Sequence, residues 1–151
     1  MNIAQSDGHA RFAASLLTKC IVDLVGFAVK RHRISIEDLA ILAMVFSEST
    51  RALREDPDMA RVFGGERVGL PNKYRPTVSL KDVHTALGLS RETTRRKLER
   101  LVERGFLIRL GNRYLFALPP AGDAFSTDLR MVLQKQLSMM VAKAHHLVEH
   151  A

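Results

Sequence analysis

Six cationic side chains, Arg91, Arg95, Arg96, Lys97, Arg100 and Arg104, crowd into one short stretch, and Arg109 and Arg113 follow on either side of a Gly111-Asn112 dipeptide. Arginine carries a planar fork that can donate two hydrogen bonds to guanine O6 and N7, whereas lysine mainly supplies charge to a phosphate. A helix so loaded has the chemistry of a nucleic-acid reader. Any soluble helix also needs a charged outer face, however, with opposite charges a turn apart such as Arg95 and Glu99. The surroundings of the helix decide between the two.

Three features favour the nucleic acid. Ahead of the helix, "SLKDVHTALGLS" predicts a shorter one with Leu80, Val83 and Leu87 along one side, Ser79 as its cap and Asp82 at the capping-box position. Gly88 suits the positive φ of a tight turn, and Ser90 can cap the next helix, which runs from about Arg91 to Arg104 and stops at Gly105. Two helices joined by a short glycine turn form a helix-turn-helix signature. After the second helix, "FLIRL" and "RYLFAL" are β-prone runs joined across Gly111-Asn112, a hairpin. Finally, residues 75 to 113 carry ten Lys or Arg against four Asp or Glu, nearly all of the chain's net +7. An anionic partner is expected there.

Helical periodicity turns Thr94, Leu98, Leu101 and Val102 toward a core and Glu92, Thr93, Arg96, Arg100 and Glu103 away from it. The N-terminal half of such a helix enters the major groove, so Arg96 and Thr93 are the candidates for base contact. Ser90, Arg91, Lys97 and Arg100 are candidates for phosphate, Ser90 lying at a helix N-terminus whose free amides attract anions. Arg95, near the first turn, belongs to the same candidate set. Arg109, Asn112 and Arg113 would bring the hairpin tip to the minor groove or its phosphates.

The remaining elements must hold this reader in place. Apolar residues from about His9 to Arg31 recur at helical spacing, Ser35 can cap a second helix from Ile36 toward Arg54, and a terminal helix of roughly 25 residues begins near Asp123. Between them, residues 56 to 76 hold three prolines and three glycines and read as a long loop, with one short helical turn around Asp58 to Val62. Arg54, Arg61, Arg67, Lys73 and Arg75 in and beside it can either reach a phosphate backbone or simply solvate a linker. The expected organisation is an N-terminal helix over 1–34, a winged unit over 35–118 and a C-terminal helix over 119–151.

At 46% hydrophobic residues the chain can build a core, and its single cysteine, Cys20, has no internal disulfide partner. There is no signal-peptide pattern, and Lys19 and Asp23 interrupt the apolar stretch from Phe12 to Val29, so no membrane helix and a cytoplasmic location are expected. His145, His146 and His150 lack the ligand spacing of a metal site. No phosphate loop, triad or paired carboxylates stand out. The expectation is therefore no enzyme, no cofactor and no metal.

The stretch "VSLKDVHTALGLSRETTRRKLERLVERGFLIRLGNRYLFAL", within residues 77 to 118, resembles the winged helix-turn-helix of bacterial transcription regulators, MarR-like first and GntR-like second. The resemblance implies a mostly α fold with a small β-hairpin wing, flanked by long N- and C-terminal dimerisation helices, with Ile36 to Arg54 as the first helix of the winged unit. It also implies a homodimer on double-stranded DNA. Independently, apolar stripes on the two terminal helices would either form an isologous interface or pack on each other within one chain. The expected function is a sequence-specific regulator, a repressor on a pseudopalindromic operator. One rival is a winged-helix interaction or scaffold module without specific DNA binding. A small-molecule effector, held between the terminal helices and the winged core, would add to DNA binding.

Overall fold

The computed structural model describes residues 3–65, 69–117 and 124–149, and the chain divides into two units, 35–121 and the pairing of 1–34 with 122–151. Arg67, Asp123 and His150, all used in the sequence reading, lie outside the described residues.

The winged unit starts at Ser35, whose Oγ accepts from the Asp38 N–H at 3.1 Å and so caps α2, Ile36–Ser49. Three short helical pieces follow: α3, Arg51–Glu55; α4, Pro57–Phe63; and a 3-10 turn, Asn72–Tyr74. Next come β1, Val78–Ser79; α5, Leu80–Leu87; α6, Arg91–Glu103; β2, Leu107–Leu110; and β3, Arg113–Phe116. The strands form an antiparallel sheet in the order β1-β3-β2. Leu110 pairs with Arg113 across the two-residue Gly111-Asn112 link, and Gly111 takes φ 62°, a value that favours glycine. Ile41, Leu42 and Val45 of α2, Val83, Leu98, Leu101, Leu107 and Leu115 are all buried, so helices and sheet share one core.

Three local outcomes refine the sequence reading. The helix expected from Ile36 to Arg54 breaks at Thr50, whose hydroxyl donates to the Phe46 carbonyl at 2.8 Å, and restarts as α3. The helical turn expected around Asp58 to Val62 is present and one residue longer at each end: Asp56 accepts from the N–H groups of Asp58 at 2.9 Å and Met59 at 3.2 Å, and Pro57 occupies the first turn, where no N–H is needed. The wing is a three-stranded sheet, because Val78 and Ser79 pair with Tyr114 and Arg113.

The helical unit holds α1, Ile3–Gly26, continued by a π-helical turn over Phe27–Arg31, and α7, Ala124–Glu149. Arg33, at φ 51°, ends the first of these. Polar ties join the pair: Asp23 accepts from Gln136 and from Lys19, and Asp128 binds Arg31 and sits 3.3 Å from His32 Nε2. Leu17, Ile21 and Val22 on α1, and Leu133, Leu137 and Val141 on α7, are exposed. By length and composition, Ala10–Arg31, with a mean hydropathy of 1.8, is also apolar enough to cross a membrane, which the sequence expectation had discounted on account of Lys19 and Asp23.

Candidate nucleic-acid interface

Local chemistry fixes α6. Ser79 and Asp82 close the capping box of α5, Ser79 N–H to Asp82 Oδ2 at 2.7 Å and Asp82 N–H to Ser79 Oγ at 3.1 Å. Gly88 turns the chain at φ 66°. Ser90 then caps α6 by accepting from the Thr93 N–H at 3.0 Å, and its hydroxyl donates to Thr93 Oγ1 at 2.8 Å. Thr94, Leu98 and Leu101 are fully buried, as the periodicity requires, and the Thr94 hydroxyl is satisfied by the Ser90 carbonyl at 2.9 Å. A helix seated this way leaves Arg91, Glu92, Arg95 and Arg96 exposed.

Its cations differ in what already holds them. Arg95 is gripped from both sides, by Glu92 at 2.7 and 3.0 Å and by Glu99 at 2.8 Å. The hydrogen bonds to Glu92 and then Glu99 raise the affinity of Arg95 for its proton, and Arg95 in turn holds the Glu92 carboxyl below its usual range. Lys97 reaches Glu37 at 2.7 Å and Asp38 at 3.3 Å, and Arg100 meets the other oxygen of Asp38 at 2.5 Å. These two were expected to stand free for phosphate; instead both lean on carboxylates of α2, because the face they share lies against the start of that helix. Arg96 is 68% exposed with only a 3.9 Å approach to Glu92, and Arg91 is exposed with no ion pair among the described residues. Thus Ser90, Arg91, Thr93 and Arg96 gather at the N-terminal half of α6.

The wing divides similarly. Arg109 Nε donates to the Gly111 carbonyl at 2.9 Å, which keeps its exposed guanidinium beside the turn and next to exposed Asn112. Arg113 folds back instead, donating to Thr77 Oγ1 and to the Thr77 carbonyl, each at 2.6 Å, and lying 3.9 Å from Asp82. It splints the wing to β1, a role that spacing did not suggest. Arg104 lies over the Phe106 ring at 5.0 Å.

Most cations around the 56–76 segment serve the fold. Arg54 donates to the Ser47 carbonyl at 2.7 Å, and Arg61 pairs with Asp58 at 3.1 Å. Arg75 is buried, donating to Asn72 at 3.1 Å and to the Phe116 carbonyl at the end of β3. Burial lowers the proton affinity of Arg75, and its hydrogen bond to Phe116 fastens the end of the strand. Lys73 lies 4.7 Å from the Tyr74 ring centre, both exposed.

Residues 72–111 match the family model of the IclR helix-turn-helix domain. This segment holds β1, α5, α6 and β2, so the elements that build the interface are those of a DNA-binding transcription regulator, and the matched domain is not an enzyme. The match does not single out the MarR-like or GntR-like groups. No curated protein and no solved structure matches the chain.

Proposed function

We propose that the protein is a homodimeric, sequence-specific transcription regulator acting in the cytoplasm, a repressor that occupies promoter DNA. The observation that carries the reading is the open N-terminal half of α6, where Arg91, Thr93 and Arg96 stand exposed or half-exposed beside a capped turn. Arg96 and Thr93 read base edges, Arg91 and the α6 N-terminus with Ser90 hold phosphate, and Arg109 with Asn112 touches the minor groove. Lys97, Arg100, Arg95 and Arg113 serve mainly to hold the reader in shape.

The apolar residues exposed on α1 and α7 support self-association by those helices. Exposed Lys135 and Lys143 on α7, and the tie from Gln136 to Asp23, favour a protein partner in water over lipid on this unit. A two-fold dimer would present two α6 helices to half-sites about one helical turn apart, ~34 Å, and so to a pseudopalindromic operator. The order of long helix, winged unit and long helix is the MarR-like one.

The engagement of Arg95, Lys97 and Arg100 by carboxylates favours one second reading, an interaction module whose helix has little charge to spare. Selection of bound fragments from random duplex DNA, followed by a salt titration, separates the two. A regulator enriches a palindromic motif and loses affinity steeply with salt, because neutralised phosphates release counterions. A scaffold does neither.

A further inference from the structure

We infer that Asp38 is a positioning residue for the DNA-reading helix, one that also keeps Lys97 and Arg100 from phosphate; the inference rests on the DNA-binding reading above. Its carboxylate is 2% exposed, yet it belongs to a residue at the start of α2 in the first turn after Ser35. That position suits an anion, since the first N–H groups of a helix lack partners within it. Both oxygens are committed across the fold, Oδ1 to Lys97 at 3.3 Å and Oδ2 to Arg100 at 2.5 Å, contacts that span 59 and 62 residues of chain.

Two consequences follow from this arrangement. Lys97 and Arg100 are three residues apart and therefore share one face of α6, so a single carboxylate that holds both sets the rotation of the helix about its axis as well as its distance from α2. That rotation aims Arg96 and Thr93 outward. Charge is also redistributed: Glu37 adds a second contact to Lys97 at 2.7 Å, leaving that side chain only 14% exposed. The C-terminal half of the reading helix is thereby electrostatically damped, and its N-terminal half, with Arg91 and Arg96, dominates the field a phosphate backbone meets. Without the damping, two more cations would bind any duplex regardless of sequence, which raises random binding and lowers discrimination.

The inference requires a gain of function from losing a buried carboxylate. Asp38→Asn in the full chain, titrated against a random-sequence duplex across a range of salt, should bind about tenfold tighter near 0.1 M salt, and the slope of log K against log salt should steepen by about one to two. A merely structural role predicts a less stable protein with equal or weaker binding and an unchanged slope, and that result overturns the inference. Should Asp38→Asn fail to fold, Arg100→Gln decides: a cation already held by Asp38 leaves affinity within about twofold and the slope unchanged, whereas a slope shallower by about one would show Arg100 on phosphate and overturn it. Wild-type protein that binds no duplex at any salt would instead remove the DNA-binding reading itself.

Discussion

Helices α6 and α1 are both amphipathic, and they have opposite fates. In α6 a narrow stripe of Thr94, Leu98 and Leu101 is completely buried, and every other face is polar. In α1 the apolar residues run more widely around the helix, and Leu17, Ile21 and Val22 remain 54%, 61% and 59% exposed. The first helix has found its partners within its own unit, while the second displays apolar surface that water disfavours. One chain thus combines a unit whose apolar stripe is covered with a unit that exposes apolar residues, and the proposed self-association rests on that difference.

The sharpest way to break this contrast is to truncate one leucine from each helix. Leu98→Ala should cost the winged unit about 3 kcal/mol, the loss of a fully buried side chain plus the cavity it leaves. Leu17→Ala should cost little at high dilution and should weaken self-association at higher concentration. Denaturant unfolding at two protein concentrations, with sedimentation alongside, measures both. Equal losses at high dilution would mean that α1 is covered within a single chain.

The polar side of the contrast is tested by Arg96→Ala. On a selected operator it should cost about 1 to 3 kcal/mol of binding, and on random duplex little, because a bidentate contact to guanine discriminates between bases. Equal loss on both DNAs would reassign Arg96 to phosphate and move base reading elsewhere on α6.

How far these outcomes were legible in the sequence depends on the range of the interaction. Caps, turns and periodic stripes are local, and Ser79 with Asp82, Gly88, Ser90 and the buried face of α6 behave as their spacing implies. Asp56-Pro57 carries an equally local signal, a capping acid followed by proline at the first helical position, and the helical turn expected around Asp58 to Val62 lies within the helix it opens. The contacts of Lys97, Arg100 and Arg113 were not legible in this way. Their partners Asp38 and Thr77 lie far away in sequence, and charge spacing within one helix or hairpin does not reveal which carboxylate or carbonyl folding will bring alongside. The β1 strand is likewise fixed by a distant partner, since two residues become a strand only by pairing with β3.

Gly88→Ala probes the turn that aims α6. A Cβ there meets nothing within 4 Å, so the cost comes only from holding an alanine at φ 66°, about 1 to 2 kcal/mol by the usual left-handed penalty. Thermal unfolding should report that loss, and operator affinity measured where the variant is fully folded should change little. A large drop in affinity without a drop in stability would show that the turn's shape, and not merely its energy, is what DNA reads.

The smallest effect tests the capping box through pH. The Ser79 backbone N–H, then the Ser79 side chain and, more weakly, the nearby Arg113 hold the Asp82 carboxyl below its ordinary value. A carboxyl depressed in the folded state binds its proton more readily when unfolded, so its stabilisation is complete above the unfolded value and disappears as pH falls through the folded one. Asp82→Asn keeps the shape of the cap and removes the charge. At neutral pH the wild type should exceed the variant by about 0.5 kcal/mol, a modest figure because the pair is half-exposed at a helix N-terminus. In strong acid the two unfolding curves should converge. A difference that persists unchanged there would mean that the amide's hydrogen-bonding geometry, and not the charge, weakens α5, and Asp82 would then offer no acid-sensitive control over the approach to the reading helix.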